Sequence, residues 1–252
     1  FAFYEIGESA VPDAKMKALL KTQLAVGTKK IVDGSKKSEP LDACGLQVHG
    51  ALDAFYSYDG PLGCTFTDEI VVMPWHGEFT PKEHRYDFPT IITLGEAIRS
   101  SISWSSNPEA EALHEYLGIE NVNQMAREVG LQGTVAGPRY FQTTARDQAL
   151  ILERIYKSDL ISADASSSML QLLLTQRIKD YMRAGLPSEV EVAHKTGLIL
   201  EYANDAGVVY GERGPFILVI LTRREDNSWS SFPMAQEVLT DLARAAYSMH
   251  GR

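Results

Sequence analysis

The order of hydrophobic periodicities along this chain predicts an α+β fold. Residues 93 to 184 carry helical spacing and helix-start signals, residues 190 to 221 alternate as strands around a tight turn, and residues 229 to 249 return to helical spacing. Strands and helices do not alternate one for one, so the expected sheet is antiparallel rather than the parallel sheet of a βαβ fold.

Each element has a local reason. Residues 1 to 6 (FAFYEI) are rich in aromatic and branched side chains and read as a short strand. Pro12 precedes a first helix with Asp13 as its N-cap and Met16, Leu19, Leu20 and Leu24 at helical spacing. Residues 33 to 40 are polar and turn-like, and residues 41 to 76 alternate like strands broken by Gly and Pro. Asn107-Pro108 starts a helix, with Pro108 at the first helical position and Glu109 and Glu111 near its positive end. Thr144 and Asp147 cap a helix carrying Leu150, Ile151, Ile155 and Tyr156. A further helix is expected from Ala163 to Ala184, stopped by Gly185 and Pro187.

Val190, Val192 and His194 then alternate with Glu191 and Ala193, a strand that ends at Thr196-Gly197. Residues 205 to 210 and 216 to 221 form two more strands, joined through the turn 211 to 214. The last helix is expected to pack through Met234, Val238, Leu242 and Ala246.

With 252 residues the chain can form one large domain or two intimately packed lobes. A net charge of -9 and the lack of a basic stripe argue against a nucleic-acid partner, and the Lys-rich stretch from Lys15 to Lys37 reads as a solvated helix face. No apolar run is long enough to span a membrane, and no signal-peptide pattern opens the sequence. The start at Phe1 rather than Met leads us to expect an upstream segment that was cleaved or omitted. Cys44 and Cys64 fit no metal spacing, which leaves one disulfide or two buried thiols open; no metal or other cofactor is expected.

Three short elements could carry chemistry together. Ser105-Ser106-Asn107 stands at a helix start, and Lys195-Thr196-Gly197 follows the strand from Val190, with His194 just before it. Pro12-Asp13-Ala14-Lys15-Met16-Lys17 places Lys17 one turn after Ala14 at the start of the first helix. Each is weak alone; their order and their placement on the right kinds of element raise their weight.

The set resembles the serine β-lactamase and D-Ala-D-Ala peptidase superfamily, in its class A-like branch, whose motifs are Ser-x-x-Lys, Ser-x-Asn and Lys-Thr-Gly. The stretches IITLGEAIRSSISWSSNPEAEAL, TTARDQALILERIY, GLPSEVEVAHKTG and NDAGVVYGERGPFILVILT also look like family sequence, whereas residues 36 to 75 do not.

The resemblance implies a β-lactamase/transpeptidase-like fold of an antiparallel sheet flanked by helices plus an all-helical lobe, with the site in the cleft between. It implies one domain over residues 1 to 252: a helical lobe at about 15 to 185, a sheet lobe at about 1 to 14 and 186 to 252, and an atypical strand-like insertion at about 38 to 76. Position 14 would be the nucleophile and Lys17 its base. The amides of residue 14 and Leu198 would form the oxyanion hole, and Ser105 would relay a proton to the leaving nitrogen. Asn107 would meet the substrate amide; Lys195, Thr196 and Gly197 would hold its carboxylate. The substrate would be a β-lactam or a peptidoglycan-like amide in the periplasm or outside the cell.

The sequence departs from that pattern in three places. No serine stands three residues before any lysine, and Ala14 occupies the nucleophile position. This form is therefore expected to bind and not acylate, either through engineering, favoured because Lys17, Ser105, Asn107 and Lys195 persist, or as a natural pseudoenzyme used for binding; the third reading is that the match of Pro12 to Lys17 is accidental. An esterase or amidase on another substrate is a further alternative. Residues 129 to 144 (VGLQGTVAGPRYFQTT) hold no acidic residue to activate a deacylating water, so an acyl-enzyme would turn over slowly. Only about a dozen residues precede position 14, so the helix and two strands that the family places there are expected either in an absent upstream segment or, in part, in the strand-like residues 41 to 76. His194 is expected to shape the site's edge, Trp104 to pack or wall the cleft, and Tyr140 and Phe141 to pack in the core, with lining of the substrate cleft as their alternative role. His49, His76, His84 and His114 are read as surface or core residues rather than ligands.

Overall fold

A computed structural model describes residues 68–75, 82–137, 141–199, 202–224 and 232–250. The expected strand at 1 to 6, the first helix with Asp13, Ala14 and Lys17, both cysteines, and all but the end of the 38 to 76 stretch lie outside the described residues. The fold is α+β, with antiparallel sheets and six helices among those residues. No described helix is long and apolar enough to cross a membrane. The chain divides into two compact units: Phe1–Ser101 with Ser106–Gln142, and Ile102–Ser105 with Thr143–Arg252.

In the first unit β1 (Glu69–Val72) pairs antiparallel with β2 (Thr90–Thr93), and Ile70, Val71 and Val72 are buried. These strands form a sheet of their own, so the described end of the 41 to 76 stretch does not replace a strand of the main sheet as expected. Its partner is the nearby β2, a short-range pairing that costs little loop-closure entropy. Helix α1 (Leu94–Ser103) opens with a reciprocal cap: Thr93 N–H donates to Glu96 Oε2 at 2.8 Å, and Glu96 N–H donates to Thr93 Oγ1 at 3.2 Å. Helices α2 (Asn107–Leu117) and α3 (Ile119–Glu128) meet at Gly118, whose φ of 77° a side chain would resist. Short β3 (Val135–Ala136) and β4 (Phe141–Gln142) pair antiparallel, with Asn123 of α3 bracing Ala136 through both of its backbone groups.

The second unit holds the main sheet, in the order β5 (Val192–Ile199), β6 (Tyr202–Gly211), β7 (Gly214–Arg223). The turn closes at Gly211 opposite Gly214; β6 and β7 run beyond the expected 205 to 210 and 216 to 221, whereas β5 starts at Val192 and continues to Ile199 instead of running from Val190 to Gly197. Helices α4 (Ala145–Tyr156) and α5 (Ala163–Leu174) lie against one face of the sheet. Thr144 Oγ1 caps α4 by accepting from Asp147 N–H at 3.1 Å, as its sequence implies.

Two helical expectations are corrected. The helix from Ala163 stops at Leu174, not Ala184; an irregular stretch follows, then a short 3-10 turn at Met182–Gly185. The chain leaves the helix because the side chain of Gln176 takes over local hydrogen bonding, accepting from Ile178 N–H at 3.0 Å. The face of α4 is also rotated: Leu152 and Ile155 are buried while Tyr156 is exposed.

The terminal helix α6 (Phe232–His250) covers the other sheet face, and its buried stripe differs from the expected one. Ala235, Leu239, Ala243 and Tyr247 are buried, while Met234 and Leu242 stand exposed. A small residue stands at 243 because the helix approaches closely there: a Cβ at Gly185 would lie 2.2 Å from the carbonyl oxygen of Thr240 and 3.0 Å from Ala243 Cβ. Leu239 and Ala243 join Met182, Val192, Val209 and Ile220 in the core. Gly185→Ala is therefore expected to cost about 2 kcal/mol through overpacking against backbone. In a thermal melt that is a fall of roughly 8 °C for a unit of this size; an unchanged melting temperature would mean that α6 can move aside.

Candidate active site

The Lys-Thr-Gly motif lies on β5, at the edge of the three-stranded sheet. Cross-strand register sorts its side chains between faces: His194 and Thr196 stand opposite Gly207 and Asp205, and Lys195 stands opposite Ala206. Val192, opposite Val209, belongs to the core under α6, so His194 and Thr196 share that face and Lys195 projects from the other. Tyr210 N–H donates to Glu191 C=O at 3.0 Å, which makes that pair hydrogen-bonded. By the alternation of antiparallel ladders, the Leu198–Ala203 pair is not, and the Leu198 N–H points away from β6. The Leu198 side chain packs against the core.

Ser105 meets this strand within the second unit. Lys195 Nζ donates to Ser105 Oγ at 2.6 Å and to the Thr196 carbonyl at 2.6 Å. Ser105 has a φ of 55°, the left-handed region that non-glycine residues rarely occupy and that clusters at functional sites. The stretch leading to it is sewn to the segment after α5. Arg177 N–H donates to Ser103 C=O at 2.8 Å, Gln176 Nε2 donates to Ile102 C=O at 2.9 Å, and the hydroxyls of Ser103 and Thr175 bond each other. Trp104, half-exposed, lies under the Arg177 guanidinium at 5.7 Å and so serves as a cation–π platform. Sequence reading missed Thr175 and Gln176, since an isolated Thr-Gln after a helix carries no recognisable signal.

Burial sets the electrostatics of Lys195. Desolvation pulls its ammonium down from 10.5 to about 8, and the Asp205 carboxylate offsets part of that fall. Asp205 is fully buried and accepts from His194 Nδ1 at 2.9 Å and from Met182 N–H at 3.1 Å. His194, itself 2% exposed, is therefore a core residue bound to Asp205 and does not shape the edge of a site, because strand alternation turns it away from Lys195. Gly207 is required opposite it: a Cβ there would stand 2.6 Å from His194 Cβ. Thr196 is buried beside them.

Asn107 lies in the first unit as the first residue of α2, exposed to solvent. Its neighbour Ser106 is fully buried and donates to Glu109 Oε2. Glu109, 1% exposed, also accepts at Oε1 from His84 Nδ1 at 2.7 Å and from the Tyr86 hydroxyl at 2.9 Å. Glu109 stands in the first turn of α2, as expected, and is also a buried hub with His84 as one of its donors. The Ser-x-x-Glu spacing of 106 to 109 is a capping-box signature that could have revealed the pair. His114 stacks against Phe141 with ring centroids 4.9 Å apart, and burial lowers its pKa. Phe141 is exposed, contrary to a core role, and among the described residues β4 pairs only with β3; Tyr140, His49 and His76 lie outside the described residues. Among the described residues no group of His, Cys, Asp or Glu could hold a metal ion.

The profile of the family described as "Beta-lactamase enzyme family" matches residues 76–249, more than half of the chain. The chain belongs to the β-lactamase enzyme family. That match covers Ser105, Asn107 and Lys195 and begins beyond Ala14 and Lys17. Among solved structures, PBP-A aligns with a TM-score of 0.67 at 22% identity, covering 82% of this chain and 80% of that one. A mutant of PBP-A, solved as an acyl-enzyme complex with penicillin G, aligns equally well, with a TM-score of 0.67 at 22% identity over 82% and 81% of the two chains. A β-lactamase from Sphaerobacter thermophilus aligns with a TM-score of 0.60 at 18% identity, covering 92% of this chain and 81% of that one. At these identities the likeness concerns the fold. A search of curated protein sequences finds no match.

Proposed function

We propose that this chain is a serine-hydrolase scaffold that binds a carboxylate-bearing acyl donor, a β-lactam or a D-Ala-D-Ala-like amide, and is inert here because Ala14 cannot attack it. The observation that carries the reading is the 2.6 Å contact from Lys195 Nζ to Ser105 Oγ. An ammonium has three donors; one goes to Ser105 and one to the Thr196 carbonyl, which leaves the third for a substrate carboxylate. Ser105 uses Oγ as acceptor toward Lys195 and keeps its own proton to pass to a leaving nitrogen. The Leu198 N–H, turned outward from the sheet edge, supplies one oxyanion donor, and the amide of residue 14 the other.

In this reading Lys17 is the base for a nucleophile at position 14, Asn107 binds the substrate amide, Gly197 borders the carboxylate end, and Thr196 serves that end through its backbone carbonyl, which holds Lys195 Nζ, its side chain being buried on the face of His194. The open space at Gly197, where a Cβ would meet only Asn204 Cβ at 3.8 Å, leaves room for a ligand along the strand. The ligand would come from the bacterial cell envelope, in the periplasm or outside the cell. Calorimetric titration of the chain as it stands with benzylpenicillin tests this. Saturable binding with an unchanged intact mass is expected, whereas no heat at millimolar ligand would remove the reading.

A further inference from the structure

We propose that Glu109 is a positioning residue, which sets Ser105 and Asn107 for the reaction by gripping the residue between them. This rests on the reading of Ser105 and Asn107 given above. Ser106 is fully buried, and its hydroxyl is committed to Glu109 Oε2. Its backbone is held as well: Ser106 N–H donates to Ser100 C=O at 3.3 Å, and Ala110 N–H donates to Ser106 C=O at 3.2 Å. On one side of this anchor stands Ser105 at a φ of 55°; on the other, Asn107 opens α2.

A serine has no intrinsic preference for the left-handed region, so its surroundings must hold it there. The grip itself is fixed from outside the helix. His84 Nδ1 at 2.7 Å and the Tyr86 hydroxyl at 2.9 Å occupy Oε1, which aims Oε2 at Ser106. Tyr86 is tied in turn through its carbonyl to Trp75 N–H at 2.8 Å. An ordinary capping box would send the serine hydroxyl to a backbone N–H of the helix, and Ser106 makes no such bond. The side-chain pair therefore adds little to helix capping, and what it fixes is the Ser105–Asn107 turn.

The test uses Ser106→Ala and Glu109→Gln, introduced into both the present chain and its Ala14→Ser form. In the Ala14→Ser form, the saturating rate of acylation by a fluorescent penicillin is expected to fall about tenfold or more in both variants, because small misplacements of a catalytic group cost rates of this order. The dissociation constant of the preceding complex is expected to stay within about threefold, since Lys195 remains. A merely structural role would reduce the fraction of chains that label, not the rate constant of those that do. In the present chain, crystal structures of the two variants are expected to show Ser105 out of the left-handed region and its bond to Lys195 broken. An unchanged acylation rate constant, or an intact bond and φ in both variants, would overturn the proposal. If the Ala14→Ser parent takes no label, the proposed function fails and the crystal structures alone decide this point.

Discussion

With serine restored at position 14, a fluorescent penicillin is expected to label this chain covalently, one acyl group per molecule, where the present chain takes none. The expectation follows from what the site has and what it lacks. In the proposed reading Ser105 relays the proton and Lys195 holds the carboxylate, and Lys195 Nζ already lies on Ser105 Oγ at 2.6 Å. The amide of Leu198 faces outward at the sheet edge, inferred from the ladder register. Alanine has no atom that can form an ester, so no amount of correct geometry elsewhere yields an adduct. The label is also expected to persist, because residues 129 to 144 carry no carboxylate that could activate a deacylating water. Gel fluorescence over hours after removal of free ligand measures both effects. No label at high concentration would support a pseudoenzyme, and rapid loss of label would mean that a base for water stands elsewhere.

Lys195→Ala is expected to have the next largest effect. It removes a charge-assisted bond to the ligand, worth about 1.5–3 kcal/mol or roughly ten- to a hundredfold in affinity. The same group predicts a pH dependence. Burial holds the Lys195 ammonium at about 8 instead of 10.5, so binding of a carboxylate is flat below that pH and weakens above it, by up to about tenfold per unit. The stability sign is the reverse. Between about 8 and 10.5 the unfolded chain binds more protons at this residue than the folded one, so its contribution to stability rises with pH across that window. Titration of benzylpenicillin from pH 6 to 10 reads the binding effect, and an affinity that is flat through pH 8 would show that Lys195 does not hold the carboxylate.

The readable parts of this chain were those where a short-range rule fixes the geometry. Thr144 with Asp147, and Asn107 with Pro108, announce their helix starts because caps depend on residues two or three apart. The strands around Lys195 show in their alternation. What stayed hidden depends on packing at a distance. The stripe on α6 differs from the expected one because Met234 and Leu242 are larger than the buried Ala235 and Ala243, and at Ala243 the close approach to Gly185 calls for a small side chain. His194 was misread because its neighbour in sequence, Lys195, faces the other way, and its partner Asp205 is brought to it only by β6. The ties that place Ser105, through Gln176 and Arg177, join residues more than seventy positions apart, and no local pattern announces such a pair.

The central claim is that Lys195, held against Ser105, receives the carboxylate of an acyl donor. A crystal structure of the present chain soaked with benzylpenicillin tests it most directly. The account predicts an intact β-lactam whose carboxylate lies within about 3 Å of Lys195 Nζ, the usual length of a charge-assisted hydrogen bond. A penicillin bound with its carboxylate elsewhere, while Lys195 stays on Ser105 alone, would contradict it.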